Sequence, residues 1–155
     1  MTKLVVCDID GVLADISHRL PYLEEKNYEA FYGMANMIQD EPLYSGISLF
    51  RKLTYAIPGY EIILMTGRPE RTRKITEMWL RYHDISFGKL YMRKDGDYRP
   101  SPEVKVELMH KAVENATAHD MSYGGYFIDD DPENVKAVEK AFPYITGIVF
   151  TTKRI

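Results

Sequence analysis

The sequence predicts an α/β protein: a parallel sheet with helices on both faces, carrying a small helical insert. Three observations support this. Short apolar runs rich in β-branched residues alternate with longer stretches of helical spacing, the pattern of right-handed βαβ units. The apolar runs are nearly continuous rather than alternating, as in strands buried on both faces. Three of them, at residues 4–7, 61–65 and 124–128, stop abruptly at polar groups: Asp8-Ile9-Asp10-Gly11, Thr66-Gly67-Arg68 and Asp129-Asp130-Asp131.

Taken in order, Leu4, Val5, Val6 and Cys7 form the first strand, too short for a helix. Gly11 permits a tight turn, and Val12 and Leu13 return the chain to apolar surroundings. Residues 16–50 carry Leu20, Tyr22, Leu23, Tyr28, Phe31, Tyr32, Met34, Met37 and Ile38 without strand alternation. This predicts two or three short helices with breaks near Pro21, Gly33 and residues 40–42, a cap insert at about residues 15–45. The insert's aromatic residues suit either core packing or a pocket wall for a base. Leu49, Phe50, Leu53 and Ile57 follow a helical stripe ended by Pro58-Gly59. After the strand at 61–65, a helix is expected from Pro69 to Tyr82, with the proline in its first turn. A strand at 88–92 precedes the charged loop 93–100. A helix capped near Ser101 or Pro102 then runs to Asn115 with Lys105 one turn in. The strand at 124–128, a helix from Pro132 to Phe142 and a strand at 145–151 complete the chain.

At 155 residues and 45% hydrophobic content, the chain is read as a single domain over residues 1–155 with enough apolar surface for one core. MTKLVV at the start is too short an apolar stretch for a signal peptide or membrane span, so a soluble, cytoplasmic protein with no membrane partner is expected. One cysteine excludes an intramolecular disulfide, and the place of Cys7 in a buried strand indicates packing. The net charge of −3 argues against a general nucleic-acid-coating protein. Half of the 20 basic residues nevertheless lie between Arg68 and Lys105, a local field suited to a phosphorylated substrate.

In a parallel sheet the strand ends share one edge, where ligands bind. Asp8, Asp10, Thr66, Asp129 and Asp130 would gather there, joined by Lys105 from its helix. Paired carboxylates beside a core need a cation, and hard oxygen ligands suit Mg²⁺. Phosphoryl transfer uses such a set. Asp8 is the candidate nucleophile, and Asp10 the acid and base. Thr66 and Lys105 are the candidate donors to phosphoryl oxygens. The metal candidates are Asp8, Asp129, Asp130 and, through its main-chain carbonyl, Asp10.

Asp8-x-Asp10-Gly-Val-Leu, Thr66-Gly-Arg68, Lys105 and Asp129-Asp130 resemble, in order and spacing, the four motifs of the haloacid dehalogenase superfamily of aspartate-nucleophile phosphatases. The resemblance implies a Rossmann-like fold and Mg²⁺ dependence. His18-Arg19, TGRPERTRKITEMWL, LYMRKDGDYRPSPEVK and IDDDPENV further resemble the 3′-phosphatase domain of bacteriophage polynucleotide kinase and its stand-alone relatives. That narrower resemblance implies a nucleic-acid 3′ end as substrate, contacts from Arg19, Gly67, Arg68 and Arg99, and functional partnership with a separate kinase or ligase. Two positions depart from the pattern: Ser101 stands four residues before the lysine where Asp is common, and Asp131 follows the acidic pair where Arg is common. The same chemistry would serve a 5′(3′)-nucleotidase stacking a base on Tyr22, Phe31 or Tyr32. A receiver domain has the acidic pair first and the phosphorylated Asp later, the reverse of this order. A catalytically silent end-binding module is opposed by the intact Asp8 and Asp10.

Overall fold

The computed structural model describes residues 1–56, 58–117 and 122–152. Its elements are β1 (Thr2–Cys7), β2 (Ala14–Asp15), α1 (Leu20–Glu24), α2 (Tyr28–Phe31), α3 (Met34–Met37), β3 (Glu41–Pro42), α4 (Tyr44–Ala56), β4 (Tyr60–Pro69), α5 (Arg73–Tyr82), β5 (Lys89–Arg93), α6 (Ser101–Ala116), β6 (Tyr123–Asp129), α7 (Pro132–Ala141) and β7 (Ile145–Val149). Five strands form one sheet in the order β5-β4-β1-β6-β7, every pair parallel. The chain winds outward from β1 in both directions, so strand order reverses between β1 and β6, the place where such sheets open a crevice.

Strand periodicity divides the core. Val5 and Cys7 face one layer with Ile47 and Phe50 of α4 and Trp79 and Leu80 of α5. Leu4 and Val6 face the other, with Val104 and Leu108 of α6 and Val135 and Val138 of α7. These four side chains of β1, Leu4 to Cys7, are inaccessible to solvent, as expected for a central strand covered on both faces. Among the described residues, no helix is long and apolar enough to cross a membrane.

Local boundaries differ from expectation in four places. Pro21 does not break a helix; it occupies the first turn of α1, where its missing N–H costs nothing. The break at 40–42 is a two-residue strand, β3, paired antiparallel with β2 so that the two ends of the insert are clasped together. Pro69 ends β4 in extended conformation, and a 3-10 turn at Glu70–Thr72 leads into α5. The β4–β5 ladder resumes at Pro69↔Arg93 after a bulge, a pairing no local apolar pattern reveals. Ser101 is the first residue of α6 and provides no side-chain cap. Ile57 and His119 lie outside the described residues.

Gly125 shows how closely β6 and β1 approach. Its φ is +143°, and a Cβ there would lie 1.8 Å from the Leu4 carbonyl oxygen. Gly59, with φ +94°, has open space around it. Gly125→Ala should therefore cost at least about 3 kcal/mol in urea unfolding, and Gly59→Ala about 1 kcal/mol. Equal losses would show that the close approach in the sheet is not what demands glycine.

Candidate active site

The first strand delivers its acids through a compact turn. The Ile9 carbonyl accepts the amides of Val12, Leu13 and Ala14 at 2.8–3.2 Å, and the Ile9 side chain is buried in the core. Gly11 adopts φ +83°, and a Cβ on it would come within 2.1 Å of an Asp130 carboxylate oxygen. Glycine is required there by both the turn and the neighbouring acid. Asp8 and Asp10 thus line the same cavity from one short loop.

They meet opposite environments. Asp8 lies beside Asp129 at the reversal point of the sheet, as the Cys7↔Ile128 pairing dictates. The buried Lys105 ammonium donates to Asp8 Oδ1 at 2.8 Å and to the Met65 carbonyl at 2.9 Å, and lies 3.1 Å from Asp129 Oδ2. Asp129 is held further by the Asp131 amide at 2.9 Å and by Asn134 Nδ2 at 3.1 Å. One oxygen from each of Asp8, Asp129 and Asp130 lies within 4.8 Å of the others. Three carboxylates against one ammonium sum to −2 when all are ionised. Burial first, then the charge of Asp129, pushes Asp8 well above the usual carboxylate range, with Lys105 opposing. Burial and Asp129 likewise push Asp130 up to about 7. Burial opposes the charged form of Lys105, but Asp8 and Asp129 more than compensate and hold it protonated.

This donor set fits a divalent cation. It is all oxygen, its charge deficit is two, and Asn134 Oδ1 is buried beside it without a partner among the described residues. Asp8, Asp129 and Asp130 are the side chains that would hold the ion.

Asp10 instead belongs to a chain of buried ion pairs. Arg68 donates to Asp10 Oδ1 through Nη2 at 2.6 Å and Nε at 3.0 Å. The same Nη2 reaches Asp40 Oδ2 at 2.9 Å, and Nη1 reaches Thr76 Oγ1 at 3.2 Å. Arg19 grips Asp40 with two bonds of 2.8 Å and donates to the Phe31 carbonyl at 2.8 Å. Trp79 Nε1 donates to the Asp40 carbonyl at 2.9 Å. Burial opposes ionisation of Asp10, but the Arg68 guanidinium, with help from Arg19, holds its carboxyl below the usual range. The β4 bulge makes this possible, because it folds Arg68 inward while Gly67 stays on the cavity wall.

Several expected roles change accordingly. Arg19 and Arg68, expected to contact substrate, are 0% and 1% exposed, and neither lines the cavity. Their guanidinium groups are used on Asp10, Asp40 and protein carbonyls, so they position the site from behind. Thr66 is also fully buried and off the cavity surface, with its hydroxyl accepting the Arg68 amide at 3.1 Å. Arg99 does line the cavity, but it is paired with Asp97 at 2.7 Å and closely with Glu107. Gly67 and Lys105 line the cavity. Tyr22 does not line it, whereas Tyr28, Phe31 and Tyr32 do.

Sequence reasoning missed three residues. Asp40 falls in the stretch 40–42 that reads as a break between helices; nothing local marks it as the partner of two distant arginines. Asn134 follows the acidic pair on the first turn of α7 and could have been suspected from that spacing. Arg93 lay within a general basic stretch, yet it ties the 93–99 loop to Gly67 through bonds to the carbonyls of Gly67, Asp97 and Arg99.

The family model for the polynucleotide kinase PNKP phosphatase domain matches residues 2–137. The chain belongs to that family, a haloacid dehalogenase type of phosphatase. Solved structures repeat the fold of this phosphatase domain. A chain of the Pnkp1/Rnl/Hen1 complex superposes with TM-score 0.70 at 24% identity, over 97% of this chain and 46% of that one. The phosphatase domain therefore spans less than half the length of that relative. The HAD domain of effector protein Lem4 from Legionella pneumophila gives TM-score 0.53 at 13% identity, over 96% of this chain and 85% of that one. A putative beta-phosphoglucomutase from Thermotoga maritima gives 0.55 at 16%, over 99% and 88%.

The two departures from the family pattern have defined places in the phosphatase domain. Asp131 caps α7 by accepting the Glu133 amide at 2.9 Å, as its position before Pro132 suggests. Ser101 lines the cavity one turn before Lys105.

Two measurements check the site. Asp40→Asn strips two buried arginines of a counter-charge and should cost about 3–5 kcal/mol in urea unfolding, whereas Asp97→Asn on the partly exposed loop should cost far less. For the metal, a carboxyl raised to about 7 in the metal-free protein must lose its proton before an ion binds. Below that pH, calorimetric affinity for Mg²⁺ or Mn²⁺ should fall about tenfold per pH unit, and more steeply where the raised Asp8 carboxyl also holds a proton. Affinity that does not change from about pH 5.5 to 8 would show that no ligand carboxyl gains a proton in that range.

Proposed function

We propose that this phosphatase domain removes phosphate from the 3′ ends of nucleic acid, with Asp8 as nucleophile and Asp10 as proton carrier. The observation that carries the chemistry is the contrasting pairing of two acids two residues apart: Asp8 with Lys105 and the acidic cluster, Asp10 with Arg68. An Asp8 oxygen attacks phosphorus as the bond to the leaving oxygen breaks, giving an aspartyl-phosphate. Asp10 gives its proton to that departing oxygen. It then takes one from the water whose oxygen attacks phosphorus, and cleavage of the Asp8–phosphate bond releases inorganic phosphate. Arg68 keeps Asp10 ionised in the free protein, and a phosphate dianion arriving beside it favours the protonated form the first step requires. Lys105 offsets negative charge next to the nucleophile. Mg²⁺, when bound by Asp8, Asp129, Asp130 and the main-chain carbonyl of Asp10, would neutralise phosphoryl charge.

The cavity supports a nucleotide-bearing substrate. Its volume is about 480 Å³, lined by Asp8, Asp10 and Lys105, by Tyr28, Phe31 and Tyr32 of the insert, and by Arg71 and Lys94, with the Arg71 guanidinium 5.6 Å from the centre of the Tyr32 ring. Aromatic faces and cations together suit bases and backbone phosphates. The complex to which one structural relative belongs is described as an RNA repair complex, which supports a setting where a kinase or ligase works on the same ends.

The test is phosphate release from a 3′-phosphorylated oligonucleotide beside nucleoside monophosphates. The oligonucleotide should be preferred; equal or better turnover of mononucleotides would make the domain a nucleotidase. Folded Asp8→Asn should be inactive on every substrate. Asp10→Asn should slow an alkyl phosphate about 10²–10⁴-fold but an activated aryl phosphate far less, because that leaving group needs little protonation. Equal slowing would remove Asp10 from the leaving-group role.

A further inference from the structure

Hydrolysis of one phosphomonoester uses only the floor of the cavity, whose volume of about 480 Å³ is in the range that holds nucleotide-sized ligands and larger. The mouth is built from the 94–99 loop and the turn that carries Arg71. Resting on the reading that the domain acts on nucleic-acid 3′ ends, we propose that Tyr98, Arg71 and Lys94 seat the nucleotide that precedes the terminal one, Tyr98 stacking on its base and the two cations holding its phosphodiester. This seat selects polymer ends over mononucleotides.

Three features support it. Tyr98 lines the cavity yet is 84% exposed, a whole aromatic face presented at the mouth. Its loop is braced rather than loose. Arg93 Nη1 donates to the carbonyls of Asp97 and Arg99 at 3.1 and 2.8 Å, the Asp97 carboxylate accepts the Arg99 amide at 3.1 Å, and Asp95 accepts the Arg71 amide at 3.0 Å. A braced loop presents its side chain with little ordering cost on binding. Because Arg93 also bonds the Gly67 carbonyl at 3.0 Å, Tyr98 keeps a set position relative to the strand end beside the nucleophile.

The charges at the mouth divide in the same way. Arg99 is held between Asp97 and Glu107, so its charge is largely countered. Arg71 has a half-exposed side chain, 3.6 Å from an equally exposed Asp95, and its guanidinium lies 5.6 Å from the centre of the Tyr32 ring. Lys94 is exposed. Exposed cations above a phosphate-binding floor favour a second phosphate, which a mononucleotide lacks and a polymer has.

The experiment is steady-state kinetics of the full chain on a 3′-phosphorylated oligonucleotide, on the matching nucleoside 3′-monophosphate and on an aryl phosphate. Tyr98→Ala should lower the kcat/KM ratio of oligonucleotide to mononucleotide about tenfold, mainly through KM, and Tyr98→Phe should restore it because the ring is kept. Arg71→Ala combined with Lys94→Ala should flatten the salt dependence of the oligonucleotide KM by about one phosphate contact or more. Parallel losses on all three substrates, or an unchanged ratio in Tyr98→Ala, would overturn the seat while leaving the 3′-end reading intact. Wild-type protein that turns over mononucleotides as well as oligonucleotides would overturn that reading and the seat with it.

Discussion

The site depends on one buried ammonium group. Lys105 stands between Asp8 and Asp129, where β1 and β6 deliver two carboxylates to adjacent positions at the sheet's reversal point. Without it, neighbouring strands could not both end in acids at the edge of a closely packed core, since buried like charges are strongly unfavourable. The fold supplies the lysine from α6, whose apolar stripe of Val104, Leu108, Met109 and Ala112 packs on the sheet and leaves Lys105 at its upper end. Its third bond, to the Met65 carbonyl, also ties β4 to the cluster.

A second electrostatic unit separates the two acids of the opening motif. Alternating charges run from Arg19 through Asp40 and Arg68 to Asp10. Arg19 and Asp40 come from opposite ends of the insert, clasped by β2 and β3, while Arg68 comes from the β4 bulge. Asp10 is therefore linked physically to the insert, whose Tyr28, Phe31 and Tyr32 line the cavity. Asp8, two residues earlier, answers to the lysine and the acidic cluster instead. Backbone neighbours acquire different chemistry because different parts of the chain surround them.

Most of the fold was legible because the apolar runs are long and continuous and the connections have helical spacing. The strand-end acids, Gly67 and Lys105 were legible for a related reason: polar groups at the ends of buried strands are conspicuous. Arg19, Arg68 and Thr66 were recognisable as belonging to the site, but their roles were not. A sequence shows a cation or a hydroxyl without showing which way it turns, and a two-residue bulge in β4 turned Arg68 inward. Asp40 was illegible because its partners lie 21 and 28 residues away and it sits in what reads locally as a break between helices.

By itself the sequence determined the parallel α/β sheet, the edge on which the acids meet and the family resemblance that the match over residues 2–137 bears out. These follow from hydrophobic periodicity and motif order, which are properties of the linear chain. Only the tertiary structure decided which charges pair: Lys105 with Asp8 and Asp129, Arg68 with Asp10 and Asp40, Arg99 with Asp97 and Glu107. Pairing is set by separations of a few ångströms between residues far apart in the chain, and burial, which makes each pairing consequential, exists only once the chain has folded.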